Sequence, residues 1–256
     1  GRIVLTFDAK VEIAEGTVAT LGNKTLAPSV AGKTITFPYM GLDYNTTYTF
    51  TLPGNSVSDF YGNKIKENIT LKFTTIAPPV VTPGMYDAIA SNAEELLEAL
   101  AKGNEASTSG ERFRIFLHDG IYDLGELCLT DVKSNISLIG ESMENTIIVN
   151  KAPVEGISVS ATLRPTGENI YMQDLTLKND YDYQGSTGRA VCLQDKGNKN
   201  VYKNIRMLSY QDTYYSNNNR MRSYFEDSEI HGTVDFICGG GDVFFNRTLL
   251  YLEDRS

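Results

Sequence analysis

A repeat of 20 to 30 residues limits what the second part of this chain can fold into. Four segments align, each with a bulky first residue and an aliphatic last residue: Met172–Leu177, Tyr202–Met207, Phe225–Ile230 and Phe245–Leu250. Their offsets are 30, 23 and 20 residues. Strand-rich repeats of this length, with no helices between them, predict a solenoid in which each turn stacks on the one before. The sequence therefore predicts a parallel β-helix.

Earlier segments predict the start of the same solenoid. One helix is expected at 92–100, because Asn92 is a candidate N-cap and Glu95 follows three residues later, as in a capping box. After this helix the chain is strand-like again, and the first coils would be built from 114–117, 136–140 and 146–149. The helix would then cap the first coils of an all-β domain that runs from residue 85 to residue 256.

Residues 1–76 have a different pattern and predict a separate domain. Short strands rich in Thr, Ile and Phe alternate with Gly- and Asn-containing turns, which is typical of a small antiparallel β-sandwich. The run 42–50, followed by 57–63 and closed by 73–75, resembles the Ig-like domains of bacterial surface proteins. The resemblance implies a spacer or adhesive module. Residues 77–84 contain three prolines and a terminal glycine, which favour an extended linker.

Composition excludes some classes of protein. The net charge is −9 and no basic stripe is present, which argues against a nucleic-acid partner. No apolar run approaches the roughly 20 residues of a membrane-spanning helix, so no transmembrane segment is predicted. The chain carries no signal peptide but opens inside a predicted strand, so we expect a leader to have been removed. Asp180, Asp182 and Asp195 do not match the spacing of a compact calcium loop, and no metal site is predicted.

Two acidic residues one repeat apart are the best functional signal. Asp212 and Asp235 are separated by 23 residues, which carries the chain once around the solenoid and up by one strand spacing, roughly 4.8 Å. Paired carboxylates at such a distance are pushed to different pKa values, which divides acid, base and nucleophile roles between them. Counting back 22 residues from Gln211 gives Arg189. We therefore expect these four residues on three successive coils.

At these residues the chain resembles the pectin methylesterases of carbohydrate esterase type. Three of that family's motifs stand here in order, as Ala190–Leu193, Gln211–Thr213 and Gly232–Gly239. The resemblance covers the chain from about residue 85 to its end. It implies a right-handed parallel β-helix that acts on methyl-esterified pectin (homogalacturonan), with no metal or organic cofactor.

The resemblance also implies a role for each matching residue. Asp235 would be the nucleophile that attacks the methyl-ester carbonyl of a galacturonate unit. Asp212 would protonate the departing methanol and then activate water to release the acyl-enzyme. Gln211 would donate to the oxyanion, with Arg189 beside it. Contacts with the sugar are expected from Tyr215, Val234, Phe236, Tyr181 and Tyr183.

Three departures from the family pattern bear on activity. Arg189 stands where the family usually has a second glutamine; a guanidinium can stabilise an oxyanion, but it also depresses the pKa of nearby carboxyl groups. Cys238 replaces an aromatic residue that would contact sugar. The family's downstream Leu-Gly-Arg-Pro-Trp block does not occur before Ser256. We therefore expect a β-helix that is incomplete at its C-terminus and weakly active or inactive as it stands.

Two other functions are open from the sequence. One is a catalytically impaired pectin-binding or surface protein on an esterase-like scaffold, which the arginine at position 189 favours. The other is a lyase or polygalacturonase on the same fold, although the carboxylate motifs here do not match those enzymes. A polymeric substrate and an Ig-like module predict an extracytoplasmic location, whether secreted, periplasmic or at the cell surface.

Overall fold

Two structural units make up the chain, Gly1–Pro79 and Val80–Ser256. The computed structural model describes residues 1–39, 42–78, 80–82, 84–181 and 188–254. The division between the units falls inside the proline-rich segment 77–84, in which Pro79 and Pro83 lie outside the described residues.

The first unit consists of antiparallel strands around an apolar core. Its strands are β1 (Arg2–Thr6), β2 (Val11–Ile13), β3 (Ala19–Leu21), β4 (Lys24–Leu26), β5 (Ser29–Ala31), β6 (Thr34–Pro38), β7 (Thr47–Leu52), β8 (Val57–Asp59) and β9 (Ile69–Thr74). They pair in the orders β1-β6-β5, β4-β3-β7-β9 and β2-β8. Alternation along β6 and β7 buries Phe37 and Phe50, whose rings meet edge to face at 5.0 Å. This alternation is what the sequence predicted for half-buried strands.

The second unit is a coiled parallel sheet that begins with one helix. After β10 (Ala88–Ala90) come the helix α1 (Ala93–Ala106) and a 3₁₀ turn at Ser107–Ser109. The remaining strands are β11 (Phe113–Leu117), β12 (Gly120–Asp123), β13 (Thr130–Val132), β14 (Ile136–Gly140), β15 (Thr146–Asn150), β16 (Leu163–Pro165), β17 (Tyr171–Asn179), β18 (Leu193–Asp195), β19 (Asn200–Leu208), β20 (Tyr214–Glu226), β21 (Glu229–Gly232), β22 (Ile237–Asn246) and β23 (Leu249–Leu252).

These strands form three faces, each of which gains one parallel strand per coil. The first face contains β10, β11, β14, the starts of β17 and β19, and the ends of β20 and β22. The second contains β12, β15, the ends of β17 and β19, β21 and β23. The third contains β13, β16, β18 and the starts of β20 and β22. This is a parallel β-helix, as the repeat predicted.

The predicted repeat alignment is confirmed residue by residue. Met172 pairs with Tyr202, then Phe225, then Phe245, and Leu177 pairs with Met207, then Ile230, then Leu250. The aromatic column is continuous: ring centroids are 4.7 Å apart for Tyr202 and Phe225, and 5.2 Å apart for Phe225 and Phe245. Like residues therefore stack on like residues up the interior, which makes the core and sets the register between coils.

Left-handed residues turn the chain at the same corner of four successive coils. Asp174, Asn204, Asp227 and Arg247 have φ between 47° and 55° and occupy the corner between the first and second faces of successive coils. Asn and Asp enter this region more readily than other side chains, because their short polar groups bond locally. Here the side chains also bond up the stack, since the Asn204 amide donates to the Asp174 carboxylate at 2.6 Å. This corner thus repeats from Asp174 to Arg247 together with the strands that flank it.

The helix α1 packs on the first coils. The Asn92 side chain accepts a hydrogen bond from the Glu95 amide at 3.0 Å, and the Ser91 amide donates back to the Glu95 carboxylate at 2.7 Å. The first bond confirms Asn92 as the N-cap, whereas the return bond of Glu95 goes to the residue before the cap and not to the cap amide of a standard capping box. The helix is longer than predicted and buries Leu96 and Leu100 against the core. Among the described residues, no helix is long and apolar enough to cross a membrane.

A fully buried carboxylate ties the upper coils together. Asp195 accepts hydrogen bonds from the hydroxyl groups of Tyr202 at 2.9 Å and Ser223 at 2.6 Å, and from the Asn200 amide at 2.9 Å. The Tyr214 hydroxyl contributes a longer bond of 3.3 Å. Because both oxygens face protein donors, the burial of this acidic group is compensated by hydrogen bonds.

We predict that Asp195→Ala destabilises the second unit by about 3 to 5 kcal/mol, because buried hydroxyl and amide donors lose their acceptor. The measurement is chemical denaturation followed by tyrosine fluorescence. The matched control is Asp180→Ala, which removes an exposed carboxylate that pairs with Lys178 at 3.1 Å. An equal loss of stability in the two variants would contradict the structural role of Asp195.

Candidate active site

The two paired carboxyl groups occupy equivalent corners of successive coils. Asp212 has φ 63° and Asp235 has φ 48°, and both lie between the second and third faces. The Asp212 amide donates to the Val234 carbonyl at 3.3 Å, and the Tyr214 amide donates to the Phe236 carbonyl at 2.9 Å. These bonds hold the two coils in the register that sets Asp212 beside Asp235.

The preceding coil brings Arg189 next to the same corner. Arg189 and Gln211 form an isolated parallel bridge, and the Ala190 amide donates to the Gln211 carbonyl at 2.9 Å. The structure therefore gathers Arg189, Gln211 with Asp212, and Asp235 on three successive coils.

A threonine fixes the corner that holds Asp212. Thr213 is fully buried, and its hydroxyl group donates to the His231 carbonyl on the next coil at 2.8 Å. From the same coil, the Thr233 amide donates to the Tyr210 carbonyl at 2.8 Å. The Gln-Asp-Thr segment thus combines an amide side chain, a carboxyl group and a hydroxyl anchor in three consecutive residues.

The two carboxyl groups have different environments. Asp212 is 3% exposed, whereas Asp235 is exposed. Burial, and after it the negative charge of Asp235, raise the pKa of Asp212 to about 6. The charge of Arg189 opposes this rise. A buried carboxyl group with a raised pKa beside an exposed carboxyl group is an arrangement suited to divided acid and nucleophile roles.

Cys238, which stands where the family usually has an aromatic residue, contacts the carboxyl pair. Its thiol lies 3.9 Å from Asp212 Oδ1, to which it donates a weak hydrogen bond. Burial, followed by the charges of Asp212 and Asp235, raises the pKa of the Cys238 thiol to about 12. The neutral thiol therefore faces the candidate acid.

Glu155 is a site residue that the sequence analysis missed. Its carboxylate binds the Arg189 side chain through two hydrogen bonds, from Nε at 2.8 Å and from Nη2 at 2.7 Å. It lies in the connection between β15 and β16, 34 residues before Arg189, and this separation matches none of the repeat offsets. Because connections of a solenoid vary in length, no spacing signal pointed to this contact.

The predicted sugar contacts are placed unequally. Tyr215 is half-buried on β20, where it pairs with Gln194 and Cys238 on the neighbouring coils. Val234 and Phe236 are half-buried beside Asp235, but Phe236 packs against the hydrophobic core. Tyr181 is half-buried, and Tyr183 lies outside the described residues.

A cavity of about 290 Å³ opens beside the corner that holds Gln211. It is lined by Lys178, Asn179, Asp180, Leu208, Ser209, Tyr210, His231, Glu253 and Asp254. Tyr210 directly precedes Gln211, but neither Asp212 nor Asp235 lines the cavity. In the part of the chain that the structure describes, no three His, Cys, Asp or Glu residues are grouped so as to hold a metal ion.

The fold and this corner place the second unit among parallel β-helix proteins with a paired-carboxyl surface site. The pectinesterase family model matches residues 87–255, about two thirds of the chain. The chain therefore belongs to the pectinesterase family, and the resemblance seen in its motifs is confirmed. A bacterial Ig-like domain model matches residues 1–75, which confirms the predicted nature of the first unit.

Individual relatives match a similar share of the chain. Pectinesterase 2.2 of Solanum lycopersicum is 32% identical over 158 residues, which are 60% of this chain and 28% of the relative. The pectin methylesterase PemA from Erwinia chrysanthemi is 26% identical with a TM-score of 0.53, covering 67% of this chain and 56% of that one. A pectin methylesterase mutant in complex with a hexasaccharide gives 26% identity and a TM-score of 0.56 over the same shares. This chain thus spans less than two thirds of each relative.

We predict that Asp212→Asn raises the free energy of unfolding at pH 7 by about 3 kcal/mol. The folded chain binds the Asp212 proton more tightly than the unfolded chain, because its pKa is raised to about 6. Stability therefore falls as pH rises from about 4 to about 6, and the full penalty is present above that range. Asparagine does not ionise and escapes this penalty.

The measurement is chemical denaturation at pH 7 and at pH 4, where the gain from Asp212→Asn should shrink. Asp242→Asn removes an exposed carboxylate on β22 and serves as the control, with little change expected at either pH. A loss of stability in Asp212→Asn at pH 7 would show that burial does not penalise the ionised group.

Proposed function

We propose that this chain is the catalytic part of a pectin methylesterase, which hydrolyses galacturonate methyl esters to acidic pectate and methanol. The observation that carries the proposal is the carboxyl pair at one corner of successive coils, one member buried with its pKa raised to about 6, the other exposed. An exposed carboxylate is available to attack a substrate on the surface, and a buried carboxyl group with a raised pKa can carry a proton to donate.

In the first half of the reaction, Asp235 attacks the ester carbonyl carbon. The carbonyl electron pair moves onto oxygen, and Gln211 donates a hydrogen bond to this oxyanion. When the tetrahedral intermediate collapses, the bond to the methoxy oxygen breaks and Asp212 gives that oxygen its proton. Methanol leaves, and the galacturonyl group stays bound to Asp235 as an acyl-enzyme.

In the second half, Asp212 acts as a base. Its carboxylate, now ionised, takes a proton from water, and the resulting hydroxide attacks the acyl carbonyl carbon. Asp235 departs as a carboxylate, the galacturonic acid is released, and Asp212 is again protonated. A pKa of about 6 suits both halves, because the group exchanges its proton near neutral pH.

Membership of the family and the solved relatives support pectin as the substrate. One solved pectin methylesterase mutant was crystallised with a hexasaccharide. In this chain we assign sugar binding to Tyr215 on β20, which pairs with Cys238, and to the cavity lined by Tyr210. Such a polymer does not enter a cytoplasm, so we place the protein outside it, with the Ig-like unit as a spacer.

We predict that methanol release from highly methylated pectin falls at least about 10³-fold in Asp235→Asn, because the nucleophile is lost. Release is measured by an enzyme-coupled methanol assay, on the 256-residue chain and on a version extended past Ser256 to include the family's Leu-Gly-Arg-Pro-Trp block. Asp242→Asn is the matched control, and its activity should equal that of the parent.

Two results would contradict this mechanism. Equal activity of Asp235→Asn and Asp242→Asn would remove Asp235 from the reaction. A folded extended chain that binds methylated pectin but releases no methanol would favour the pectin-binding scaffold instead.

A further inference from the structure

The ion pair between Glu155 and Arg189 is a feature of the site to which the mechanism above gives no role. The Glu155 carboxylate takes two N–H groups of Arg189, from Nε and Nη2, and also lies 3.3 Å from the Arg189 amide. Both side chains are partly exposed, at 46% for Arg189 and 31% for Glu155. Exposed ion pairs contribute little to stability. The effect of the Glu155–Arg189 pair is therefore to hold the guanidinium in one place.

The backbone around Glu155 is fixed on the Arg189 coil independently of the ion pair. The Gly156 amide donates to the Arg189 carbonyl at 2.8 Å. The Ser160 hydroxyl bridges the Gly156 and Arg189 carbonyls at 2.7 and 3.2 Å, and accepts from the Val191 amide at 3.1 Å. Glu155 is therefore held in reach of Arg189 by main-chain contacts, and the carboxylate geometry is set by the fold.

The paired guanidinium keeps donors for a substrate. A guanidinium has five N–H groups in a planar fork, and Glu155 uses two of them along one edge. The coil of Arg189 is bridged to the coil of Gln211, which directly precedes the candidate acid Asp212. With Nε and Nη2 held by Glu155, the remaining N–H groups belong to a guanidinium whose charge acts on Asp212.

We propose that Glu155 is a positioning residue for the ester hydrolysis inferred above: it fixes Arg189 beside Gln211 and balances its charge, so that the guanidinium supplies hydrogen-bond donors without placing a net cation next to Asp212. The proposal rests on the proposed function for its reaction. It accounts for an arginine where the family pattern has a neutral amide, because the pair is neutral as a whole.

Electrostatics at Asp212 agree with this geometry. The charged groups that act on it are Asp235 from the following coil, and Arg189 with Glu155 from the preceding side. Arg189 lowers the pKa of Asp212 and Glu155 raises it, while the Cys238 thiol lowers it by donating a hydrogen bond. An unbalanced Arg189 would favour the ionised form of Asp212, which has no proton to give to methanol.

The test uses Glu155→Gln, Arg189→Gln and the double variant, with two readouts. The first is the titration of the Asp212 carboxyl carbon by NMR in aspartate-labelled chain. The second is the alkaline limb of kcat/KM for methanol release, which reports loss of the Asp212 proton in the free enzyme. We expect Glu155→Gln to move the Asp212 titration midpoint and the alkaline limb to lower pH by about 0.5. Arg189→Gln should move the same two quantities to higher pH, and the double variant should return them close to those of the parent.

Three controls separate this role from a structural one. Glu155→Asp keeps the charge, so its Asp212 titration should stay close to that of the parent. Glu168→Gln and Lys199→Gln break another exposed ion pair of the same unit, with a 3.1 Å separation, and should leave the titration unchanged. If Glu155→Gln and Arg189→Gln shift the titration in the same direction, or not at all, Glu155 does not balance the charge of Arg189 and the proposal is overturned.

The two readouts distinguish failure of this proposal from failure of the proposed function. Methanol release with an unmoved Asp212 titration would overturn the role of Glu155 and leave the esterase intact. Opposite titration shifts in a chain that releases no methanol, even when extended past Ser256, would support the charge balance but overturn ester hydrolysis.

Discussion

The hydrogen-bonded register between successive coils is the constraint on which the second unit depends. Each coil is aligned with the next by parallel strand pairing, by stacked interior residues such as Tyr202 on Phe225, and by left-handed corners that repeat at the same place. Since the side-chain direction alternates along a strand, a slip of one residue would turn the whole interior column outward. Register, core packing and corner position are therefore determined together.

The register between coils also determines where the two carboxyl groups of the candidate site lie. A corner that only has to turn the chain is occupied by Asp212 on one coil and by Asp235 on the next, so a structural preference for Asp at left-handed positions also sets two carboxyl groups side by side. The surroundings then make them unequal: one is enclosed beneath the Cys238 thiol, and the other is exposed. Asp212 and Asp235 therefore have the same left-handed backbone conformation but different burial, and burial raises the pKa of Asp212.

At two positions where the chain departs from the family pattern, other groups of the site compensate for the change. Arg189 adds a cation at the corner, and Glu155, from a connection outside the repeat, supplies the matching anion. Cys238 removes an aromatic surface but gives Asp212 a hydrogen-bond donor. Considered alone, the charge of Arg189 would lower the pKa of Asp212 and impair acid catalysis. In the structure this charge is opposed by the Glu155 carboxylate at 2.7 Å. The Ig-like unit contributes none of these groups.

The sequence by itself determined the coil and the order of the site residues. Offsets of 30, 23 and 20 residues predicted the columns that start at Met172 and Leu177, and the 23-residue offset placed Asp212 beside Asp235, because stacking repeats preserve position from coil to coil. Only the tertiary structure decided that Asp212 is buried, that Cys238 faces it, and that Glu155 binds Arg189. Burial depends on all surrounding coils at once, and the Glu155 contact is made by a connection of irregular length, so neither leaves a periodic trace in the sequence.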